Sequence, residues 1–540
     1  MKRIFLTLLG CLALFSCNLK DPVDLLVVNA TVYTVDEEFS TAEAFVIRNG
    51  EFVEVGNAAD LQDKYEAAEI LDVEGKAVYP GLIDAHAHFY GFGMQLQTVN
   101  LTGTKSFSEV VNRLVEFQER ENTDFLLGRG WDQNDWEVKE FPTKDTLDIL
   151  FPETPVALTR IDGHALIANQ AALDLAGITA ETQVSGGEII LENGAPTGVL
   201  VDNPMGLVQR HIPANSLEQE VEALMDAQEV VFSYGLTTIN DAGISRRTVE
   251  LIDSLQQAGD LKVRIYAMLR NTKSNLDYYL DRGIYKTDFL NVRSVKVMAD
   301  GALGSRGAAL KEPYSDQEGQ FGALLLPVEE FKDIAARIAR SDYQMNTHAI
   351  GDSANVVILK IYDSLLQGQA DRRWKIEHAQ IVDQEDFHYF SDNIIPSIQP
   401  THATSDMYWV EDRLGQEREE GAYAFKRLLE ESGIVALGTD FPVEQVNPFL
   451  TFYAAVTRKD IEGWPEEGYR MDQALTRKET LRGMTIWAAY SNFEEEEKGS
   501  IEPGKFADFI ILDKDIMQIA EEEIPDVKVE ATYVAGEKVY

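Results

Sequence analysis

Two histidines separated by a single residue follow an apolar segment early in the chain. His86 and His88 end the stretch Pro80-Gly81-Leu82-Ile83-Asp84-Ala85-His86-Ala87-His88. On a strand, residues i and i+2 point to the same face, so both imidazoles can aim at one point. Imidazole nitrogens are common zinc ligands. The pair is therefore a candidate metal site, although two partly exposed histidines at a strand end would give the same pattern.

Further candidate ligands stand in, or directly at the end of, predicted strands. They are Lys296, His348, His378 and Asp440, with His402 just past another strand. A charged lysine among valine and methionine side chains is costly to bury unless it is paired or loses its charge. Each residue alone could be an ordinary core or turn residue. Their shared position at strand ends favours one convergent site.

The segments that carry these residues alternate between strands and helices. We predict strands near residues 80–86, 236–241, 262–269, 292–298, 343–348, 373–378, 394–399 and 434–440, and amphipathic helices at 328–341, 354–367 and 423–432. Eight such strands predict an α/β fold, a (β/α)8 TIM barrel, whose active sites lie at the carboxyl ends of the strands. A doubly wound sheet is the alternative, but it gives no reason for ligands on strands one, four, five, six and eight.

The rest of the chain surrounds this barrel. Residues 24–80 and 498–540 consist of short β segments, with a hairpin signal at Asn49-Gly50, and we predict that they form one composite β-sandwich domain. The barrel then takes residues 81–497. Residues 96–225 exceed what one strand-to-helix connection needs, so we predict an insertion after the first strand on the active-site face.

Composition excludes several classes of protein. The 540 residues are 45% hydrophobic and 26% charged, which is typical of a globular protein. The net charge is −43 without a basic stripe, so nucleic acid is not an expected partner. The two cysteines, Cys11 and Cys17, both lie near the N-terminus. Any metal site in the body of the chain must therefore use histidine, carboxylate or modified lysine.

The N-terminus is predicted to be a lipoprotein signal peptide, residues 1–17. Lys2 and Arg3 precede an apolar segment, residues 4–15, that is too short to span a membrane. Leu14-Phe15-Ser16-Cys17 resembles a bacterial lipobox, which implies lipidation of Cys17 and anchoring in a bacterial cell envelope, on the periplasmic or surface side. An ordinary signal peptide with a chance cysteine is the alternative.

Short motifs accompany these candidates along nearly all of residues 24–540. They stand at residues 80–88, 128–132 (Gly-Arg-Gly-Trp-Asp), 162–164 (Asp-Gly-His), 300–306, 399–402, 438–442 and 499–508. Together with the order of the candidate ligands, they resemble the amidohydrolase superfamily of metal-dependent hydrolases, and most closely its amidohydrolase-3 branch, the YtcJ-like proteins.

The resemblance implies a role for each candidate. His86, His88 and Asp440 would bind one divalent metal, expected to be zinc. His348 and His378 would bind a second, bridged by a carboxylated Lys296; with an unmodified lysine, one metal remains. Substrate contacts would come from His402, Arg306, His164 and Trp131. His211 and His388 match no motif.

The implied reaction is hydrolysis of a C–N bond in an amide or cyclic amide other than a peptide. A metal lowers the pKa of bound water from 15.7 to about 7, and Asp440 would act as general base and then general acid. Deaminases of the superfamily place a glutamate three residues after the fifth-strand histidine, where this chain has Gly351. Deamination, ester or lactone hydrolysis, and a ligand-binding lipoprotein without turnover remain alternatives. The partner is a small molecule, and a homodimer is left open.

Overall fold

The computed structural model describes residues 20–160, 165–184, 187–304 and 306–540. The predicted signal peptide with Cys17, and the candidate His164, lie outside these residues and stay predictions. Among the described residues, no helix has both the length and the apolar character that a membrane span requires.

Eight parallel strands form the central barrel, as predicted. They are β1 Leu82–Ala87, β2 Leu236–Ile244, β3 Arg264–Arg270, β4 Leu290–Met298, β5 Gln344–Ala349, β6 Trp374–His378, β7 Ile394–Ile398 and β8 Ala436–Leu437. Each strand is hydrogen-bonded to the next in chain order, and Tyr285–Lys286 adds an antiparallel edge to β4. Most of their residues are buried, because helices cover the outer face and side chains fill the interior.

Helices follow most barrel strands and cover them. They are Phe89–Leu96, Leu217–Ser233, Arg246–Ala258, Lys273–Tyr279, Val328–Ala339, Asp352–Leu366, Pro400–Asp406, Val410–Leu414, Gln416–Glu419, Phe425–Ser432, Pro448–Thr457, Arg477–Gly483 and Ile486–Ser491. Side-chain caps define their starts: Ser216 and Thr476 each form a capping box, and Ser245 accepts from the backbone of Thr248. The helices predicted at 328–341, 354–367 and 423–432 all form, within two residues at each end.

The barrel closes where β8 meets β1. The backbone N–H of Asp440 donates to the carbonyl of His86, and the N–H of His88 donates to the carbonyl of Phe441, both at 2.8 Å. A Cβ on Gly438 would lie 2.5 Å from the His86 nitrogen, so only glycine allows this approach. Asp440 then takes a left-handed φ of 63°. The strand predicted at 434–440 therefore ends at Leu437.

Both ends of the chain contribute to one sheet beside the barrel. Its strands are Thr31–Tyr33, Thr41–Ala42, Ala77–Pro80, Phe509–Leu512, Val529–Val534 and Glu537–Lys538. A second sheet contains Asp21–Val28, Ala44–Arg48, Glu51–Gly56 and Tyr65–Asp72, with the helix Ala58–Lys64. Phe45 and Phe52 of the second sheet contact Phe509 of the first, with ring centroids 5.0 and 6.4 Å apart. The two sheets thus share an apolar core.

A buried ion pair joins this β region to the barrel. The Arg264 guanidinium on β3 donates to both carboxylate oxygens of Asp508, at 2.6 and 2.9 Å. Asp508 also accepts from the backbone of Ala535 at 2.8 Å. Both charged side chains are nearly inaccessible to solvent, and bidentate pairs of this kind are strong and directional.

The segment between β1 and β2 forms a separate sheet with its own helices. Its strands are Val99–Asn100, Leu126–Trp131, Val156–Arg160, Ala165–Ala168, Gly187–Glu192 and Ala195–Asp202, and its helices are Phe107–Glu121, Asp145–Leu150, Gln170–Ala176 and Met205–Gln209. The last two strands form a hairpin around Asn193-Gly194. Two apolar clusters, one including Leu114 and the other Leu173, hold the helices against the sheet.

We predict that Gly438→Ala destabilises the protein by about 1–3 kcal/mol, because the added methyl group overpacks the junction of β1 and β8. The urea midpoint of unfolding measures this. Gly56→Ala is the matched control, since a Cβ there has no atom within 4 Å and no positive φ. Equal midpoints for the two variants would contradict the steric account of barrel closure.

Candidate metal centre

The structure brings all six predicted ligands to the carboxyl ends of the barrel strands. His86, Lys296, His348 and His378 lie on β1, β4, β5 and β6, His88 directly follows β1, and Asp440 directly follows β8. All six line one cavity of about 370 Å³. The convergence that the sequence predicted is therefore present in the fold.

Asp440 is the residue that the histidines share. Its Oδ1 lies 3.2 Å from Nε2 of His88 and 3.7 Å from Nε2 of His86, and its Oδ2 lies 3.2 Å from Nε2 of His402. Burial alone would raise the pKa of Asp440, but the hydrogen bonds to His402 and His88 hold it well below its usual value. The side chain is a carboxylate surrounded by imidazoles.

Two sets of three residues have potential ligand atoms that all lie within 4.8 Å of one another. They are His86, His88 and Asp440, and His378, His402 and Asp440. The first set is the one that the resemblance assigned to one metal. In the second set, His402 stands where the resemblance would place His348, although the rings of His348 and His378 are only 4.6 Å apart.

His86 is held by a glutamate that the sequence analysis did not single out. Nδ1 of His86 donates to the Glu377 carboxylate in a short hydrogen bond, and both side chains are completely buried. Burial lowers the pKa of His86, which keeps the ring neutral. Burial would raise the pKa of Glu377, but His86 and two nearby lysines lower it to about 2. A carboxylate behind a ligand histidine fixes its tautomer and aims its other nitrogen at the metal.

Lys296 contacts the nitrogen of His86 that faces the cavity. Its Nζ lies 2.8 Å from Nε2 of His86, and burial lowers the pKa of the amine. Nδ1 of His86 carries the ring proton and donates a hydrogen bond to Glu377. Nε2 is therefore unprotonated and accepts a hydrogen bond from Lys296. A metal at this nitrogen would require the amine to turn away. Carboxylation of Lys296 stays a prediction.

His348 and His378 each present a buried nitrogen without a partner. Nε2 of His348 and Nδ1 of His378 have no hydrogen bond in the described part of the chain. Burial lowers the pKa of His348 to about 3 and that of His378 well below its usual value. Buried polar atoms without partners are costly. Neutral imidazoles with open nitrogens, close to a carboxylate, fit the donor set of a divalent zinc-type ion.

His402 lies between two carboxylates. Its Nε2 faces Asp440 at 3.2 Å and its Nδ1 faces Glu444 at 3.1 Å. Burial would lower the pKa of His402, but these two hydrogen bonds raise it to about 10. His402 lines the cavity, but both nitrogens are engaged, so a hydrogen bond to substrate would require the release of one carboxylate. Its predicted contact with substrate stays a prediction.

Two other predicted substrate contacts lie elsewhere in the described structure. Trp131 is buried in the apolar core of the insertion and donates from Nε1 to the carbonyl of Leu158 at 2.8 Å. Arg306 forms two hydrogen bonds to Asp316, at 3.1 and 2.7 Å. Neither lines the described cavity. These two residues were predicted because they match family motifs, and a motif does not show in which direction its side chains point in the fold.

Asp84 fixes the geometry of the ligands from behind. Its carboxylate accepts from the backbone of His86 at 3.1 Å, and from the backbone and hydroxyl of Thr439 at 3.1 and 2.7 Å. Burial raises the pKa of Asp84 to about 7. One side chain thus ties the ligand-bearing end of β1 to the segment that carries Asp440.

The remaining cavity wall is mostly apolar. Met298, Leu303, Ile350, Trp409 and Val443 line it, together with Gln380 and Asp406. Its size suits a small organic molecule. Gln380, Asp406 and Glu377 were missed in the sequence. For Glu377 a signal existed, since Lys375 and Glu377 alternate with Ile376 on a strand predicted to be buried.

Comparisons with known proteins agree with this geometry. The profile of the amidohydrolase family matches residues 69–540. YtcJ of Bacillus subtilis, a protein named as an amidohydrolase, is 30% identical over 94% of this chain and 98% of its own. The N-substituted formamide deformylase of Arthrobacter pascens is 28% identical over 95% of this chain and 97% of its own.

A solved structure extends the likeness to three dimensions. The crystal structure of an uncharacterized metal-dependent hydrolase from Pyrococcus horikoshii superposes with a TM-score of 0.78 and 28% sequence identity. The match covers 92% of this chain and 99% of that chain. The likeness in three dimensions therefore extends over most of the chain.

We predict that Glu377→Gln weakens metal binding by roughly 10–100-fold, as loss of a partner behind a ligand histidine usually does. His348→Asn and His378→Asn should each lower the metal bound per chain further, since they remove donors. Elemental analysis after dialysis against metal buffers measures this. His388→Asn, at an exposed histidine, is the control, and equal metal content in all four variants would contradict the assignment.

Proposed function

Because the chain belongs to the amidohydrolase family, we propose that this metal-dependent hydrolase cleaves a C–N bond in a small amide or cyclic amide. The single observation that carries the proposal is the Asp440 carboxylate, which lies among His86, His88 and His402 at the base of a mostly apolar cavity. The full-length likeness to an N-substituted formamide deformylase supports a C–N bond as the target.

The proposed metal is zinc, held by His86, His88 and Asp440, with His348 and His378 able to hold a second ion. The ligand set contains nitrogen and carboxylate donors and no thiolate, which zinc accepts in catalytic sites. When bound, such an ion lowers the pKa of the water it contacts to about 7 and polarises a carbonyl oxygen. The protein residues then have to position the substrate and move protons.

Asp440 is proposed to move the proton. Its Oδ2 faces His402, which leaves Oδ1 toward His86 and His88. Oδ1 is therefore the atom that would accept the proton of the attacking water and pass it to the leaving nitrogen. The protonated His402 donates from Nε2 to Asp440 and holds the carboxylate in this orientation. Glu444 accepts from the other N–H of the same ring.

Lys296 is proposed to carry a carboxyl group in the active protein. Burial lowers the pKa of its amine, which favours the neutral form, and a neutral amine adds carbon dioxide to give an anionic carbamate and release one proton. We predict that native mass spectrometry of protein prepared with bicarbonate shows one added carbon dioxide, which Lys296→Met lacks. If wild-type protein shows no adduct at high bicarbonate, Lys296 is unmodified and the proposed carboxylation is wrong.

The proposal includes the location of the protein. Lipidation at Cys17 would hold the enzyme on the periplasmic or surface side of a bacterial envelope, where its partner is a small-molecule substrate. The supporting observation is the sequence at residues 1–17, a basic start followed by a short apolar segment and a lipobox-like end.

We predict that the metal-loaded protein hydrolyses members of a panel of N-substituted formamides and cyclic amides. Asp440→Asn should lower kcat by about 10²–10⁴-fold, because it removes the group that moves the proton. Release of the free amine measures the reaction, and ester analogues in the same panel test the alternative chemistry. His388→Asn should retain wild-type rates. Amide hydrolysis that survives both Asp440→Asn and removal of metal by a chelator would refute the proposal.

A further inference from the structure

One wall of the cavity carries a carboxylate that the proposed proton transfers do not use. Asp406 is the last residue of the helix Pro400–Asp406 and lines the cavity with Gln380 and Trp409. A carboxylate at the carboxyl end of a helix is disfavoured by the helix dipole. Burial also raises the pKa of Asp406, to about 6. Keeping this anion in the wall has a cost that binding of a cation would offset.

The hydrogen bonds around Asp406 have a fixed direction. Tyr423 donates its hydroxyl proton to Oδ2 of Asp406 in a short hydrogen bond, because a carboxylate can only accept. Nε2 of Gln380 then donates to the Tyr423 oxygen at 2.8 Å and approaches Oδ2 of Asp406 at 3.4 Å. The Tyr423 ring is buried, and its backbone N–H donates to the Gln380 carbonyl at 2.7 Å. The three side chains form one oriented network.

This network leaves one acceptor oxygen on each of two cavity-lining residues without a donor in the described structure. Both hydrogen bonds to Asp406 go to Oδ2, and the Gln380 amide gives its nitrogen to Tyr423. Oδ1 of Asp406 and Oε1 of Gln380 therefore have no hydrogen-bond donor in the described structure. A protonated amine has three donors and no acceptor, so it matches two acceptors, one of them charged. Trp409, three residues after Asp406, adds an aromatic ring of the kind that attracts cations.

A carboxylate on the substrate would find no comparable partner. Among the described residues that line the cavity, the basic groups are Lys296 and the histidines of the candidate centre. Arg306 and Arg413 both pair with Asp316, and Arg413, on the helix Val410–Leu414, lies 5.5 Å from the centroid of the Trp409 ring. The net charge of −43 adds a field that attracts cations and repels anions.

We propose that the site selects amides whose far end carries a protonated amine, bound by Asp406 and Gln380 beside Trp409. This inference rests on the proposed C–N hydrolysis and specifies its substrate class. It assigns Asp406 to specificity, separately from the proton transfer assigned to Asp440.

The test compares three formamides of similar length with different ends. They are N-formyl-diaminobutane (cationic), N-formylpentylamine (neutral) and N-formyl-aminobutyrate (anionic). We expect wild-type kcat/KM to be at least about tenfold higher for the cationic than for the neutral compound, and lowest for the anionic one. A hydrogen bond to a charged group changes binding by about that factor. Asp406→Asn, which keeps an oxygen for Tyr423 but presents an N–H₂ group, should reduce the cationic preference about tenfold or more.

Asp412→Asn is the matched control. Asp412 is exposed on the following helix, Val410–Leu414, and its substitution removes the same overall charge. It should leave the cationic preference at its wild-type value. Equal kcat/KM for the three formamides, or the same loss of preference in Asp412→Asn as in Asp406→Asn, would overturn the inference while C–N hydrolysis itself stands.

A binding measurement separates the inference from the reaction. Calorimetric titration of the metal-loaded protein with butylammonium chloride and with sodium butyrate needs no turnover. We expect butylammonium to bind, butyrate to bind at least tenfold more weakly, and Asp406→Asn to remove that difference. If no formamide is hydrolysed, the proposed reaction fails and this titration still decides the inference. Comparable binding of both ions, or an unchanged difference in Asp406→Asn, refutes it.

Discussion

The close approach of the first and last barrel strands is the constraint on which the site depends. Asp84 and Thr439 are 355 positions apart in the chain, and the ligands on either side of this contact are equally remote. Gly438 lets the two backbones meet, and the Asp84 carboxylate then holds His86 and Thr439 together. The distances from Asp440 to His86 and His88 depend on this junction. The barrel therefore provides more than a scaffold, because its closure sets the position of the shared carboxylate.

Charge in the centre is arranged so that the histidines have different tasks. Three of them lie against carboxylates: His86 donates to Glu377, His88 faces Asp440, and the protonated His402 lies between Asp440 and Glu444. His348 and His378 have buried nitrogens without such partners in the described structure. Burial keeps these rings neutral, because the nearby Asp440 carboxylate raises their pKa by less than burial lowers it. The carboxylates Glu377 and Glu444 thus fix the orientation of His86 and His402, whereas His348 and His378 each keep a buried nitrogen open to a metal.

Much of this site could be predicted from the sequence, because ligands at strand ends follow the short-range periodicity of the chain. His86, His348 and His378 could be placed from the alternation of their own strands. Asp440 was predicted correctly at the barrel mouth, but its strand ends at Leu437, and its left-handed backbone depends on contacts from β1. The network of Asp406 and Tyr423 could not be predicted, because nothing local in either segment shows that they meet. The position of Trp131 in the core of the insertion could not be predicted either, since burial there depends on packing between distant segments.

The pairing of the chain ends has a consequence for how the protein is made. The strand Ala77–Pro80, which leads directly into β1, pairs with Phe509–Leu512, and Asp508 anchors Arg264 of β3. The strand Ala77–Pro80 therefore lacks one of its two neighbours until the final part of the polypeptide has been synthesised. Prematurely terminated chains would expose an unpaired edge and an uncompensated arginine, both of which favour aggregation and degradation. The sheet that leads into the ligand-bearing strand β1 is thus completed only by the last segment of the chain to be translated.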